Sequence, residues 1–341
     1  MKKALSCVLA AMTSFLAFAA LAAQGGRESS VSSGDAFFCK SGETVLDRIP
    51  DVRMLKGDAR TAYRDPAIWY EDGTFHLFFT LVETERDGCV YSYVAMSTSR
   101  DLLHWTPVTK LTPRCDRDYS SPGNVVRDGD EWLLCFQSYP RPGNRNDGKV
   151  RYADQTARLF VMRSKDLVHW SKPELLRVKG PSVVEANMGR MIDPYLVRDP
   201  KGGWMCFYKQ NGASFSRSPD LKTWEYVGKT DAGENVCVVS EGGRFLMMHS
   251  PQNGMRFKES TDLLSWRDLP GEITLGQKEW PWARGRLTAG FLFDGRTVAG
   301  VGGWVLFFHA SGPRTESEGD FDRNASIGVV VAENISDFLD K

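Results

Sequence analysis

The chain has 341 residues, with 43 basic and 43 acidic side chains, so its formal charge is zero. That balance argues against nucleic acid or an anionic membrane surface as a partner. Ten tryptophans and nineteen phenylalanines suit β-strands and clefts that stack sugar rings.

At the start, Lys2 and Lys3 precede an uncharged run from Ala4 to Ala23 that ends in small residues, Ala20-Leu21-Ala22-Ala23. This is the build of a secretory signal peptide over residues 1–23. It predicts a periplasmic or secreted protein with no membrane association after cleavage. An uncleaved anchor is the alternative, because the run reaches the roughly 20 residues a bilayer span needs. Cys7 precedes the apolar run and does not read as a lipid-anchor cysteine. Residues 24–58 read as a leader, and the stretch from Phe37 to Tyr63 is expected to supply a closing strand. Residues 59–341 read as one domain. Cys135, Cys206 and Cys237 sit in apolar runs and read as buried small hydrophobes. Cys39, Cys89 and Cys115 lie in polar surroundings and are disulfide candidates in an oxidising compartment. Without a CxxC pair, no zinc site is expected.

Next along the chain comes a repeat. SRDLLHW (99–105), SKDLVHW (164–170), SPDLKTW (218–224) and STDLLSW (260–266) share the pattern Ser-x-Asp-Leu-x-x-Trp, and ISDFLDK closes the chain as a degenerate fifth copy. Each copy follows short alternating strands. The first unit, AIWYEDGTFHLFFT, is a hairpin signal around Asp72-Gly73, and YSYVAMS supplies a third strand before the turn. Five such units without long helical periodicity predict an all-β, five-bladed β-propeller.

In a propeller the starts of the inner strands and the ends of the second strands converge on one face. Aligning the units on their hairpins puts Asp65, Ser121, Asp193 and Glu234 at the first place, with the fifth falling near Leu287 to Gly290. The second place is Thr80, Gln137, Lys209, His249 and His309. Asp65 and Asp193 share an Asp-Pro dipeptide, in RDP (64–66) and IDP (192–194). Unpaired buried carboxylates are costly, so a ring of polar groups in register reads as a site. The expected ligand contacts are Trp69, Ser121, Asn124, Gln137, Lys209, His249, Arg286 and His309. Arg64, Arg190 and Arg284 cluster near strand starts with Arg286, either pairing with the acids or reading a charged or heavily oxygenated ligand.

These features resemble the five-bladed propeller glycoside hydrolases of families 43, 62, 117, 32 and 68, over about residues 60 to 338. The resemblance is strongest to family 43 and extends to family 117. Families 32 and 68 are more distant, because their Asn-Asp-Pro opening and Glu-Cys acid motif are missing. By this resemblance Asp65 is the general base, Asp193 a modulator and Glu234 the general acid of an inverting, exo-acting hydrolase. Its substrate would be an arabinofuranoside, xyloside or anhydrogalactoside of plant or algal polysaccharide. Family 117 suggests a histidine acid instead, His249 or His309. Glu185, Glu241, Glu259 and Glu279 are rival carboxylates. No cofactor is required, and a structural Ca2+ on the ring axis is the one metal the resemblance suggests. A glycoside phosphorylase or a non-catalytic glycan-binding propeller are the alternatives.

Overall fold

The computed structural model describes residues 53–147, 149, 151, 154–313 and 322–340. The signal segment, most of the leader and Cys39 lie outside the described residues. Strands dominate, and they fall into five small antiparallel groups, the first two joined into one sheet by a parallel bridge between Ser92 and Tyr119. The first contains β2 (Thr61–Glu71), β3 (Thr74–Thr84) and β4 (Val90–Ser99), with the short β5 (Thr109–Lys110) outside. The second runs β6 (Tyr119–Asp128), β7 (Glu131–Tyr139), β8 (Arg158–Ser164) and β9 (Glu174–Leu175). The third is β10 (Ile192–Arg198), β11 (Trp204–Lys209), β12 (Ala213–Ser218) and β13 (Glu225–Thr230). The fourth is β14 (Glu234–Glu241), β15 (Arg244–Ser250), β16 (Arg256–Ser260) and β17 (Arg267–Asp268). The fifth is β18 (Arg286–Asp294), β19 (Trp304–Ser311) and β20 (Ser326–Ala332), completed by β1 (Arg53–Leu55) from the leader.

The first strands of the sheets pack side by side in the cyclic order β2, β6, β10, β14, β18 and back to β2. That is a five-bladed propeller. Its hairpins form as the sequence leads one to expect: Asp72 and Gly73 both take positive φ, 48° and 74°, the geometry of a type I′ turn.

The repeated heptad is a turn at the outer end of each third strand, and each of its letters has a physical task. In the first copy the N–H groups of Leu103 and His104 donate to Asp101 Oδ1 at 2.9 and 2.8 Å, while that of Leu102 donates to Ser99 Oγ at 2.9 Å. The leucine takes a left-handed conformation in all four copies, with φ of 64°, 60°, 60° and 63° at Leu102, Leu167, Leu221 and Leu263, and is buried each time. The tryptophan then reaches the neighbouring blade. Trp170 meets Phe78 edge-on at 5.6 Å, and Trp266 meets Phe207 likewise at 5.7 Å. In the fifth unit a short 3-10 turn, Ile335–Phe338, buries Phe338 at the corresponding place.

Cys135, Cys206 and Cys237 are buried in the core, while Cys89 and Cys115 carry free thiols. The disulfide expected of the polar cysteines is therefore not formed between these two.

Candidate active site

Every inner strand carries the same irregularity. Register with the second strand slips by one residue between Arg64 and Ala67, Pro122 and Val125, Ile192 and Tyr195, Glu234 and Cys237, and Thr288 and Phe291. The inserted pairs are Asp65-Pro66, Gly123-Asn124, Asp193-Pro194, Asn235-Val236 and Ala289-Gly290. A bulge leaves its extra residue unpaired and turns the strand. Proline, lacking an N–H, suits such a place, and Asp65, Asp193, Asn235 and Ala289 take φ of 48° to 53°. The Asp-Pro dipeptides thus mark bulges that aim a carboxylate at the axis.

This register corrects part of the hairpin alignment. Ser121 precedes its blade's bulge by two residues, and Glu234 stands just ahead of its own. Ser250, not His249, pairs with Glu234, and Phe136, not Gln137, stands opposite the pre-bulge residue Pro122.

A pocket of about 280 Å³ opens on this face. Asp65, Asp193 and Glu234 line it together, with Gln137, Arg286 and His309. Among the described residues, the rival carboxylates Glu185, Glu241, Glu259 and Glu279 do not line it. Five of the expected sugar contacts also stand elsewhere. Trp69 lies toward the hairpin end of β2, bonded to Glu71. Asn124 ties two blades together, receiving the Leu196 N–H and donating to the Leu196 carbonyl, both at 2.8 Å. Lys209 reaches the Ala232 carbonyl at 3.1 Å. His249 accepts from the Gly233 N–H at 3.0 Å. Ser121 acts one layer back, on Asp65.

The environment separates the two buried aspartates. Ser121 Oγ donates to Asp65 Oδ2 at 3.1 Å, and Thr80 Oγ1 stands 2.7 Å from that oxygen. Arg64 Nε lies 3.8 Å away. Burial alone would raise the Asp65 carboxyl, but Arg64, His309 and the two hydroxyls outweigh it and hold it below its usual range. Asp193 is pushed up to about 7, first by burial and then by the charges of Glu234 and Asp65. Its own N–H donates to Gln137 Oε1 and its Oδ2 accepts from the Asn235 N–H. Glu234 stands half-exposed at the mouth, its Oε2 3.9 Å from Arg286 Nη2.

The histidines do not fit the role of acid. His309 Nδ1 accepts the Asp65 N–H at 3.0 Å, and burial lowers its pKa to about 3. Burial lowers His249 to about 4. In both the ring is held toward its neutral form, with Nδ1 accepting a backbone N–H.

Sequence reasoning missed Tyr139, Arg141, Asn235, Thr288 and Ile192 in the lining, and Asp322 beside it. Arg141 makes a forked pair with Asp322, at 3.2 and 3.0 Å, and Arg64 Nη1 stands 4.0 Å from the same carboxylate. The signal for Arg141 was local: an arginine flanked by prolines right after β7. Asp322 lies in the long β19–β20 connection, where no strand pattern points to it.

The axial cavity beneath the pocket offers little to a hard cation. It is lined mostly by Pro66, Pro122, Gly123, Pro194, Val236, Gly290 and Phe291, besides the two aspartates and Asn235. Calcium takes six to eight oxygens, and among the described residues no three His, Cys, Asp or Glu side chains group as metal ligands. The residues present do not fit such an ion.

A five-bladed propeller with three carboxylates meeting at one mouth defines a glycoside hydrolase of the propeller superfamily. Residues 60–258 match the glycosyl hydrolases family 32 N-terminal domain, and the chain belongs to that family. The more distant place given above to family 32 is thereby corrected. No curated protein matches the chain in sequence. Solved structures share the fold. An exo-1,5-α-L-arabinanase from a bovine ruminal metagenomic library is 16% identical with a TM-score of 0.56, covering 80% of this chain and 94% of its own. A family 117 glycoside hydrolase of the marine bacterium Zobellia galactanivorans is 13% identical with a TM-score of 0.58, covering 80% and 84%. The catalytic domain of a family 62 α-L-arabinofuranosidase from Coprinopsis cinerea is 14% identical with a TM-score of 0.56, covering 82% and 96%.

Proposed function

We propose that this glycoside hydrolase is exported to the periplasm or medium and releases a small sugar unit from the end of a plant or algal polysaccharide. The basic and apolar start of the chain supports export. A pocket of about 280 Å³, at the small end for a ligand site, supports cleavage of a terminal unit. Arabinofuranosides, xylosides and anhydrogalactosides are the starting substrate classes. The observation that carries the reading is the split between Asp65 and Asp193. They occupy the same bulge position in two blades, yet one is held ionised and the other keeps its proton up to about 7. Carboxyls driven apart in this way mark a site tuned for proton transfer, with the ionised Asp65 suited to act as base and the raised Asp193 close enough to feel the charge of Glu234.

In this reading Asp65 takes the proton of the attacking water, and Glu234 protonates the leaving glycosidic oxygen. Asp193 keeps the proton count of the acid side and, with Gln137, fixes the strand that carries it. No cofactor takes part. Family 32 membership favours a second reading, in which Asp65 attacks the sugar carbon itself and configuration is retained.

The test compares wild type with Asp65→Asn, Asp193→Asn and Glu234→Gln on arabinan, xylan and agar oligosaccharides and on aryl glycosides. Asp65→Asn is expected to lose about 10²–10⁴-fold in kcat. Glu234→Gln should lose most with poor leaving groups and least with activated aryl groups, which need no protonation. If that leaving-group dependence appears in Asp193→Asn instead, Asp193 is the acid. Proton NMR of the fresh product decides between inversion and retention. Release that requires phosphate would make the enzyme a phosphorylase.

A further inference from the structure

The pocket wall between Glu234 and Asp65 belongs to the fifth blade. Inner strands follow one another round the ring in the order β14, β18, β2, so the blades of Glu234 and Asp65 flank the one that carries Thr288. Four blades present the residue just ahead of their bulge to the pocket: Arg64, Ile192, Glu234 and Thr288. Residues at one register position leave their strands on the same side, so Thr288 faces the pocket as Glu234 does. Across the strands Thr288 pairs with His309, the residue whose Nδ1 accepts the Asp65 N–H.

Neighbouring hydroxyls already have partners. Thr80 Oγ1 and Ser121 Oγ bond Asp65, and the Tyr119 hydroxyl accepts from Arg64. Ser250 Oγ accepts the Ala289 N–H at 2.9 Å. Thr288 differs. It is 1% exposed, and among the described residues its Oγ1 has no hydrogen-bond partner. A hydroxyl taken out of water without a partner is costly. Valine has the same branched shape, suits a strand as well and carries no such cost, so packing does not account for a threonine here. Branching at Cβ also restricts χ1, which limits the freedom a bound ligand would have to remove from this hydroxyl.

We infer that Thr288 is a specificity-determining residue of the pocket: a hydroxyl of the terminal sugar unit donates to its Oγ1 when that unit lies between Glu234 and Asp65. The bond supplies the partner that the fold withholds, and it makes the site discriminate. A site with a buried polar group rejects an analogue lacking the matching hydroxyl far more strongly than an apolar pocket does, because the group is then left unpaired. The inference rests on the reading of this pocket as the sugar site and adds to it the residue that reads one sugar hydroxyl.

Thr288→Val, which keeps the shape and removes the hydroxyl, and Thr288→Ser, which keeps the hydroxyl, test it in the full protein. Without sugar, Thr288→Val should melt at or above wild type, since the free fold loses no bond. A lower melting point would give the hydroxyl a structural bond and overturn the inference. Turnover is read on an aryl α-L-arabinofuranoside, an aryl β-D-xyloside and their monodeoxy analogues. On the parent glycoside that wild type cleaves better, Thr288→Val should lose roughly 10–10²-fold in kcat/KM, and Thr288→Ser should recover most of that loss. One deoxy analogue should be poor for wild type and no poorer for Thr288→Val, the signature of a shared bond in a double-mutant cycle. Unchanged kcat/KM in Thr288→Val, or an equal loss on every deoxy analogue, overturns the inference alone. Calorimetric titration with arabinose and xylose separates it from the catalytic reading. Sugar binding that weakens in Thr288→Val, with no cleavage of any glycoside by wild type, sinks the catalytic reading alone. Wild type that neither binds nor cleaves any of these sugars overturns both.

Discussion

Asp193 couples the chemistry to stability. An unfolded aspartate titrates near 3.9, whereas in the fold this carboxyl is pushed up to about 7. Between those values the folded chain holds a proton that the unfolded chain has released. The stability this group contributes is therefore complete below about pH 4 and is lost as pH rises through about 7. His309 has the opposite sign. Its pKa falls from 6.5 to about 3, so its contribution is present above 6.5 and is lost as pH falls toward 3. Replacing Asp193 by Asn keeps the shape and removes the charge. Urea unfolding should find Asp193→Asn more stable than wild type by on the order of 2 kcal/mol at pH 8, with the gap closing at pH 4. A gap of equal size at both pH values would mean that burial of the charge is not its cause.

At the scale of the element, the repeated turn sets a backbone cost against a packing gain. A leucine in the left-handed region costs roughly 1–2 kcal/mol, and burying its side chain returns about 1.5–3 kcal/mol. Leu167, at φ 60° and 2% exposed, allows the two to be measured apart. Leu167→Ala keeps the strain and loses the packing, at a cost of about 2–5 kcal/mol. Leu167→Gly loses the same packing but relieves the strain, so denaturation should find it less destabilised than the alanine variant by about 1 kcal/mol. This reverses the usual order of those two substitutions within a strand or helix. The turn is also why the fold was legible. Serine, aspartate, leucine and tryptophan each have a fixed task there, so four copies survive at the level of letters. The bulges were legible only where proline marked them, at Asp65 and Asp193. In the second and fourth blades the extra residue falls in Gly123-Asn124 and Asn235-Val236, which carry no compositional sign. His249 was taken for the ring position that Ser250 occupies because, like Thr80, Gln137, Lys209 and His309, it is a polar residue that follows two apolar ones. Arg141 and Asp322 escaped for a different reason: irregular connections bring them to the site, and period-based reading says nothing about those.

For the whole molecule, the ring closes by mixing the two ends of the domain. Strand β1 pairs with β20 through Arg53 with Gly328 and Leu55 with Ile327, and Arg53 lies over Trp282, 5.2 Å from the ring centre. A chain begun at Lys56 should keep its five inner strands but lose this clasp, lowering the melting temperature by roughly several degrees. Limited proteolysis should then cut first in the fifth blade, and an unchanged melting point and cleavage pattern would show the clasp to be idle. The five bulges have a wider meaning. Each is a socket at the axis, supplied by the architecture whether or not any chemistry fills it. Aspartates occupy two and an asparagine a third. The Gly123 socket is sealed, since a Cβ there would stand 1.9 Å from the Pro194 carbonyl oxygen. Ala289 occupies the last, at φ 51°, a conformation that aspartate and asparagine tolerate better than most residues. The scaffold thus separates where a reactive group stands from what that group is, and a new function can be written into it by exchanging one side chain while the strands around it stay as they are.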